Sequence, residues 1–180
     1  LINTNRPNEL GHSDISTNFT TDSQLGDNIL ELFVDQRCNI EREFFDFMME
    51  NELLDVFGRK TKAVGGYMTY LPDYKAPFIF ANFNGTSGDV DVMTHECGHA
   101  FQGYLAAEDP IREHADIGME TAETHSMSME FFTEPWYKLF FGEKNTEAYT
   151  KMHLEDAVIF VPYGCMVDEF QHIIYDNPNL

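Results

Sequence analysis

Basic residues are scarce. The 180 residues hold 11 Lys and Arg against 31 Asp and Glu, for a formal charge of −20. Such a surface repels nucleic acid and anionic membrane, so neither is expected as a partner. Cysteine is scarce too: Cys38, Cys97 and Cys165 are far apart and form no CxxC pair. That spacing excludes a disulfide framework and points to a reducing compartment, the cytoplasm. No long hydrophobic run occurs. The longest, near Ala157–Val167, is too short to span a bilayer and contains Pro162. No stretch resembles a signal peptide, a repeat or a low-complexity tract. What is abundant is apolar and aromatic content, 43% and 14%, a composition suited to one globular domain with a sizeable core. The chain opens at Leu1 and is expected to be a piece of a longer protein.

Residues 1–26 are rich in Asn, Thr, Ser, Asp and Gly and predict a loop or docking segment. Helical spacing of Leu30, Phe33, Ile40, Phe44, Phe47, Met48, Leu54 and Phe57 predicts a helix over 27–59, closed by Gly58. VGGYMTYL (64–71) and PFIFANF (77–83) predict two antiparallel strands around the turn Pro72-Asp73-Tyr74-Lys75. A second turn, NGTSGD, leads into a helix over 89–107. Further helices are expected over 118–132 and 146–176, the last kinked at Pro162. The fold class expected is mainly α with a small antiparallel sheet.

Residues 93–102 read MTHECGHAFQ. On a helix, Met93, Cys97, Ala100, Phe101 and Tyr104 share one stripe, the core face. His95 and His99 lie on the opposite side, one turn apart, with Cβ atoms ~5–6 Å from each other. Two imidazoles so spaced can share one zinc ion at ~2.0–2.1 Å. That face fits either a metal or a solvated surface. Glu96 falls between it and the core stripe, where it can serve water beside the metal without ligating it. His-Glu-x-x-His on a helix is the pattern of zinc proteases.

Catalytic zinc needs a third protein ligand. Position 105 is Leu, so the ligand comes from another element. Candidates are Glu108, Glu113, His114, Asp116, Glu120, Glu123, His125 and Glu130. Asp116, Glu123 and Glu130 project from nearly one side of the 118–132 helix, if it extends that far. One would ligate, and its neighbours would accept N–H bonds from the imidazoles. Each could equally be a solvated acid, and His114 and His125 read as spare polar side chains.

HECGHAFQ followed by METAETHSMSMEFF resembles the zinc oligopeptidases of the thimet oligopeptidase and oligoendopeptidase F group, especially the bacterial Pz-peptidase-like branch. GGYMTYLPDYKAPFIFANFNGTSGDVDVM and VPYGCMVDEFQHIIYDNP extend the likeness over most of the chain after about residue 27. The resemblance implies a zincin-like catalytic core over 27–180, with one Zn²⁺ held by His95, His99 and Glu123. It implies Glu96 as general base and hydrolysis of internal bonds in oligopeptides. Many relatives have His where this chain has Gln102, which is not a ligand. The family's N-terminal helical lid, and the later stretch whose His and Tyr steady the intermediate, have no counterpart here. The implied partners are an oligopeptide substrate and the rest of the parent chain. Oligomeric state is not read.

Asp116 and Glu130 are the candidates to support the ligands. Phe80, Ala81 and Asn82 are candidates to bind substrate, if their strand lies at a sheet edge and takes a peptide by strand addition. The same apolar run fits an internal core strand equally well. Tyr163, His172 and Tyr175 invite a substrate-stabilising role, but His172 and Tyr175 are three apart on a helix and fit ordinary packing. Two other readings stand open: a different HExxH hydrolase, aminopeptidase-like, and an inert zinc-stabilised binding module.

Overall fold

The computed structural model describes residues 39–115 and 117–179. The segment 1–26, the first part of the 27–59 helix, Cys38 and Asp116 lie outside the described residues. Helix α1 spans Asn39–Glu50 and buries Phe44, Phe45 and Met48. It stops nine residues before Arg59 (59 − 50), short of the predicted end. Glu52 adopts a left-handed φ of 52°, and Leu53 N–H closes back on the Met48 carbonyl at 3.0 Å. The chain then runs extended, and Leu54–Asp55 form β1, paired parallel with Ile79 and Phe80.

Strands β2 (Gly66–Leu71) and β3 (Ala76–Ala81) pair antiparallel, with Leu71 opposite Ala76 across the 72–75 turn. The sheet order is β1-β3-β2, so the sheet is mixed and not purely antiparallel. β3 is its middle strand. This corrects the edge-strand option for Phe80, Ala81 and Asn82. Ala81 is buried, its carbonyl accepts Lys62 Nζ at 2.6 Å, and Asn82 Oδ1 accepts the Arg59 N–H at 3.2 Å. The strand's apolar run fills both of its faces unequally: Pro77, Ile79 and Ala81 are buried on one, while Phe78 and Phe80 are partly buried on the other. Lys62 sits inside this seam. Its ammonium donates to the carbonyls of Asp55, Phe57 and Ala81 and pairs with the Asp55 carboxylate at 2.9 Å.

Helix α2 (Ser87–Ala106) packs its predicted stripe of Met93, Cys97 and Ala100 onto the sheet and α1. The Asp89 carboxylate anchors its start, taking the N–H groups of Asn84 and Gly85. Helix α3 (Met119–Phe132) crosses α2 at Gly98. A Cβ there would stand 2.6 Å from Ser126 Cα and 2.8 Å from the His125 carbonyl oxygen, so only glycine lets the backbones come this close.

Helix α4 spans Tyr137–Asp176. It breaks at Gly142 (φ 64°, ψ 165°) and not at Pro162, which lies inside its continuous part. The left-handed φ at Gly142 turns the chain so that Phe141 and Tyr149 stack at 4.0 Å, with Tyr137 edge-on at 4.6 Å. Among the described residues, none beyond His153 is buried. No described helix is long and apolar enough to cross a membrane. Cys97 is a buried free thiol and Cys165 an exposed one.

Candidate metal centre

The Gly98 crossing brings the polar side of α2 under α3. His95 and His99 are therefore half-buried, not solvated. Glu123 reaches down from α3 between them. Its Oε2 lies 2.9 Å from His95 Nε2 and 3.5 Å from His99 Nε2, and the two imidazole nitrogens are 3.2 Å apart. Among the described residues this is the group of His, Cys, Asp and Glu able to hold an ion. Three ligand atoms at ~2.0–2.1 Å around a tetrahedral ion stand about 3.3 Å from one another. The observed triangle matches that spacing without rearrangement.

Proton accounting gives the same answer. Glu130 Oε1 accepts from His95 Nδ1 at 2.6 Å, which puts that ring's hydrogen on Nδ1. The Nε2 lone pair then faces the Glu123 oxygen and the His99 nitrogen. Three lone pairs meeting over 2.9–3.5 Å repel unless a cation, a metal ion or a proton, lies among them. Burial works against the charged form of His95, but the bond to Glu130 and the negative charges of Glu130, Glu123 and Glu96 together outweigh it and raise its pKa. Burial, and then the neighbouring His95 charge, lower that of His99. His99 would therefore be a neutral donor, the form in which imidazole binds metals.

Glu96 is buried midway along α2, and burial raises its pKa even though the nearby His95 charge opposes this. The backbone N–H of Met68, on the edge strand β2, opposes that rise as well. Ser126 is fully buried and donates to Glu123 Oε2 at 2.8 Å, which steers that oxygen toward the two imidazoles.

The structure brings His95, Glu96, His99, Glu123 and Glu130 together. It sets Glu108, Glu113 and His114 on the exposed surface, His114 paired with Asp109 at 3.1 Å. Tyr163, His172 and Tyr175 are exposed on α4. His125 is not the spare side chain expected, because its Nε2 faces His99 Nδ1 at 3.0 Å. Sequence reasoning also missed Gly98, Ser126 and His153. Only Gly98 carried a signal: a glycine inside a strong helical pattern costs ~1 kcal/mol against alanine and needs a packing reason.

Comparison with curated proteins finds no match. Among solved structures, a Pz peptidase A determined with an inhibitor is 49% identical, with a TM-score of 0.81 over 91% of this chain and 29% of its own. A protein described as an oligoendopeptidase F from Bacillus anthracis is 48% identical, with a TM-score of 0.81 over 92% of this chain and 30% of its own. A protein described as a peptidase from Chlamydophila abortus, 20% identical with a TM-score of 0.63, shares the fold. The chain thus spans under a third of these neighbours' length. A profile described as peptidase family M3 matches residues 33–180, which include the whole triangle and Glu96. With that match and the near-half identity to the first two structures, the chain belongs to peptidase family M3.

Proposed function

We propose that the chain is the metal-binding core of a zinc-dependent oligoendopeptidase, cleaving internal bonds of short peptides. The observation that carries this is the triangle of His95, His99 and Glu123, whose ligand atoms lie within 4.8 Å of one another beside a buried glutamate. When bound there, zinc supplies a Lewis acid that acidifies water and polarises a carbonyl.

The chain's own residues do the rest. His95 and His99 present Nε2, and Glu123 presents an oxygen already oriented by Ser126. Glu130 keeps the His95 proton on Nδ1. Glu96, with its pKa raised by burial, is a better base than an ordinary carboxylate: it takes a proton from water and returns it to the leaving amine.

Because β3 is internal, β2 is the strand positioned to take a substrate by main-chain hydrogen bonds along Gly66–Leu71. Recognition through backbone leaves side-chain preference loose, which suits oligopeptides.

Zinc content of the wild type against Glu123→Ala tests the reading. Stoichiometric zinc in the wild type and loss in the variant is the expected result. Equal zinc in both would remove Glu123 from the ligand set.

A further inference from the structure

Glu130 has two carboxylate oxygens and commits both to histidines. Oε1 takes His95 Nδ1–H at 2.6 Å. Oε2 takes Nε2–H of His153 at 2.7 Å. His153 belongs to α4 and to no motif. It is 8% exposed. Its ring packs on Phe131 at 4.7 Å and lies nearly parallel to Tyr149, 17° between planes. Its Nδ1 stands 3.4 Å from Tyr137 Oη, whose hydrogen goes to the Glu130 carbonyl at 2.8 Å. Tyr149 in turn donates to the Asp91 carboxylate on α2. One connected set of side chains therefore ties α4 to both helices that carry the triangle.

A carboxylate held at one oxygen can still swing about its terminal torsion. Held at both, it has one orientation. Supports of metal-bound histidines act in this way, by fixing the ring's tautomer and direction before the ion arrives. We propose that His153 is a positioning residue of the metal centre: it locks Glu130, and Glu130 aims the His95 lone pair at His99 and Glu123. The proposal rests on those three as zinc ligands. It extends the centre to a third helix, 23 residues beyond Glu130 (153 − 130).

A merely structural role predicts a lower unfolding temperature and unchanged zinc affinity in whatever remains folded. A positioning role predicts weaker zinc binding in folded protein, and rescue by a side chain that restores the donor. The probe is Zn²⁺ alone, titrated against a chromophoric chelator, on chains shown to be helical by circular dichroism. His153→Leu keeps bulk and loses the donor; its zinc dissociation constant should rise about tenfold. His153→Gln offers an amide N–H to Glu130 and should stay near wild type. If His153→Leu does not fold, His153→Asn, polar but too short to reach Oε2, takes its place and should show the same loss. Wild-type affinity in the Leu or Asn variant overturns the proposal. His99→Ala separates this failure from that of the metal reading. If His99→Ala binds zinc as the wild type does, or the wild type binds none, the ligand assignment falls first and the role of His153 with it.

Discussion

Replacing Gly98 by alanine tests the geometry of the site more directly than removing a ligand does. The new Cβ would meet Ser126 Cα at 2.6 Å, the His125 oxygen at 2.8 Å and Met129 Cβ at 3.1 Å. The first two are backbone atoms and cannot rotate away. Recovering an ordinary contact of 3.4 Å moves α3 off α2 by about 0.8 Å. Alanine favours α2 by ~1 kcal/mol, while overpacking costs ~1–3 kcal/mol, so global stability changes little or falls by about 2 kcal/mol. The site has no such compensation. Glu123 Oε2 now stands 2.9 and 3.5 Å from the two imidazole nitrogens. Adding that displacement takes them to about 3.7 and 4.3 Å, against the about 3.3 Å that ligands of one tetrahedral ion require. Zinc affinity should fall about 10–100-fold with helix content intact, measured by chelator competition alongside circular dichroism. A Gly98→Ala chain that melts higher and binds zinc as the wild type does would refute the close crossing, and with it the account of how the triangle forms.

Glu96→Gln should retain zinc while the full-length enzyme loses about 10²–10⁴ in turnover, read by hydrolysis of a quenched fluorescent peptide; unchanged turnover removes Glu96 from the base role. Asp91 has its carboxyl pushed up from 3.8 to about 6, mainly by burial, so the folded chain keeps this proton to higher pH than the unfolded one. Its stabilising contribution is present below 3.8 and is lost as pH rises through about 6. Urea unfolding of wild type against Asp91→Asn should show the wild type losing up to about 3 kcal/mol relative to the variant across that window; a difference flat with pH contradicts the burial of this group. Lys62→Met should destabilise by about 3–5 kcal/mol, because it strips a buried cation from the Asp55 carboxylate and from three carbonyl groups. A loss under about 1 kcal/mol in urea would show that water fills the gap.

The α2 motif was legible because its chemistry and its period coincide: His95 and His99 must share a face, and Met93, Cys97 and Ala100 must share another. Glu123 was legible through family resemblance, since an acid on a separate helix has no fixed spacing to the motif. The end of α1 was not. Leu54 and Phe57 continue a helical period, but Leu54 and Asp55 gain more by pairing with β3, a contact over 20 residues away in sequence. Gly142 outranked Pro162 as the break for a similar reason: proline is tolerated where α4 makes few contacts, while the turn at 142 is needed to bring Tyr149 and His153 home. His153 itself could not be found from spacing, because its partner is fixed only after α4 folds back over α3.

That folding back stops abruptly. From Leu154 to Asp176, α4 rises about 34 Å at ~1.5 Å per residue, without burying one residue and through a proline that offers no N–H. It is a cantilever clamped at His153. In the chain by itself, amide exchange should accelerate in a step just past residue 153, where tertiary contacts end. In this chain, order along α4 is borrowed from the cluster at its root.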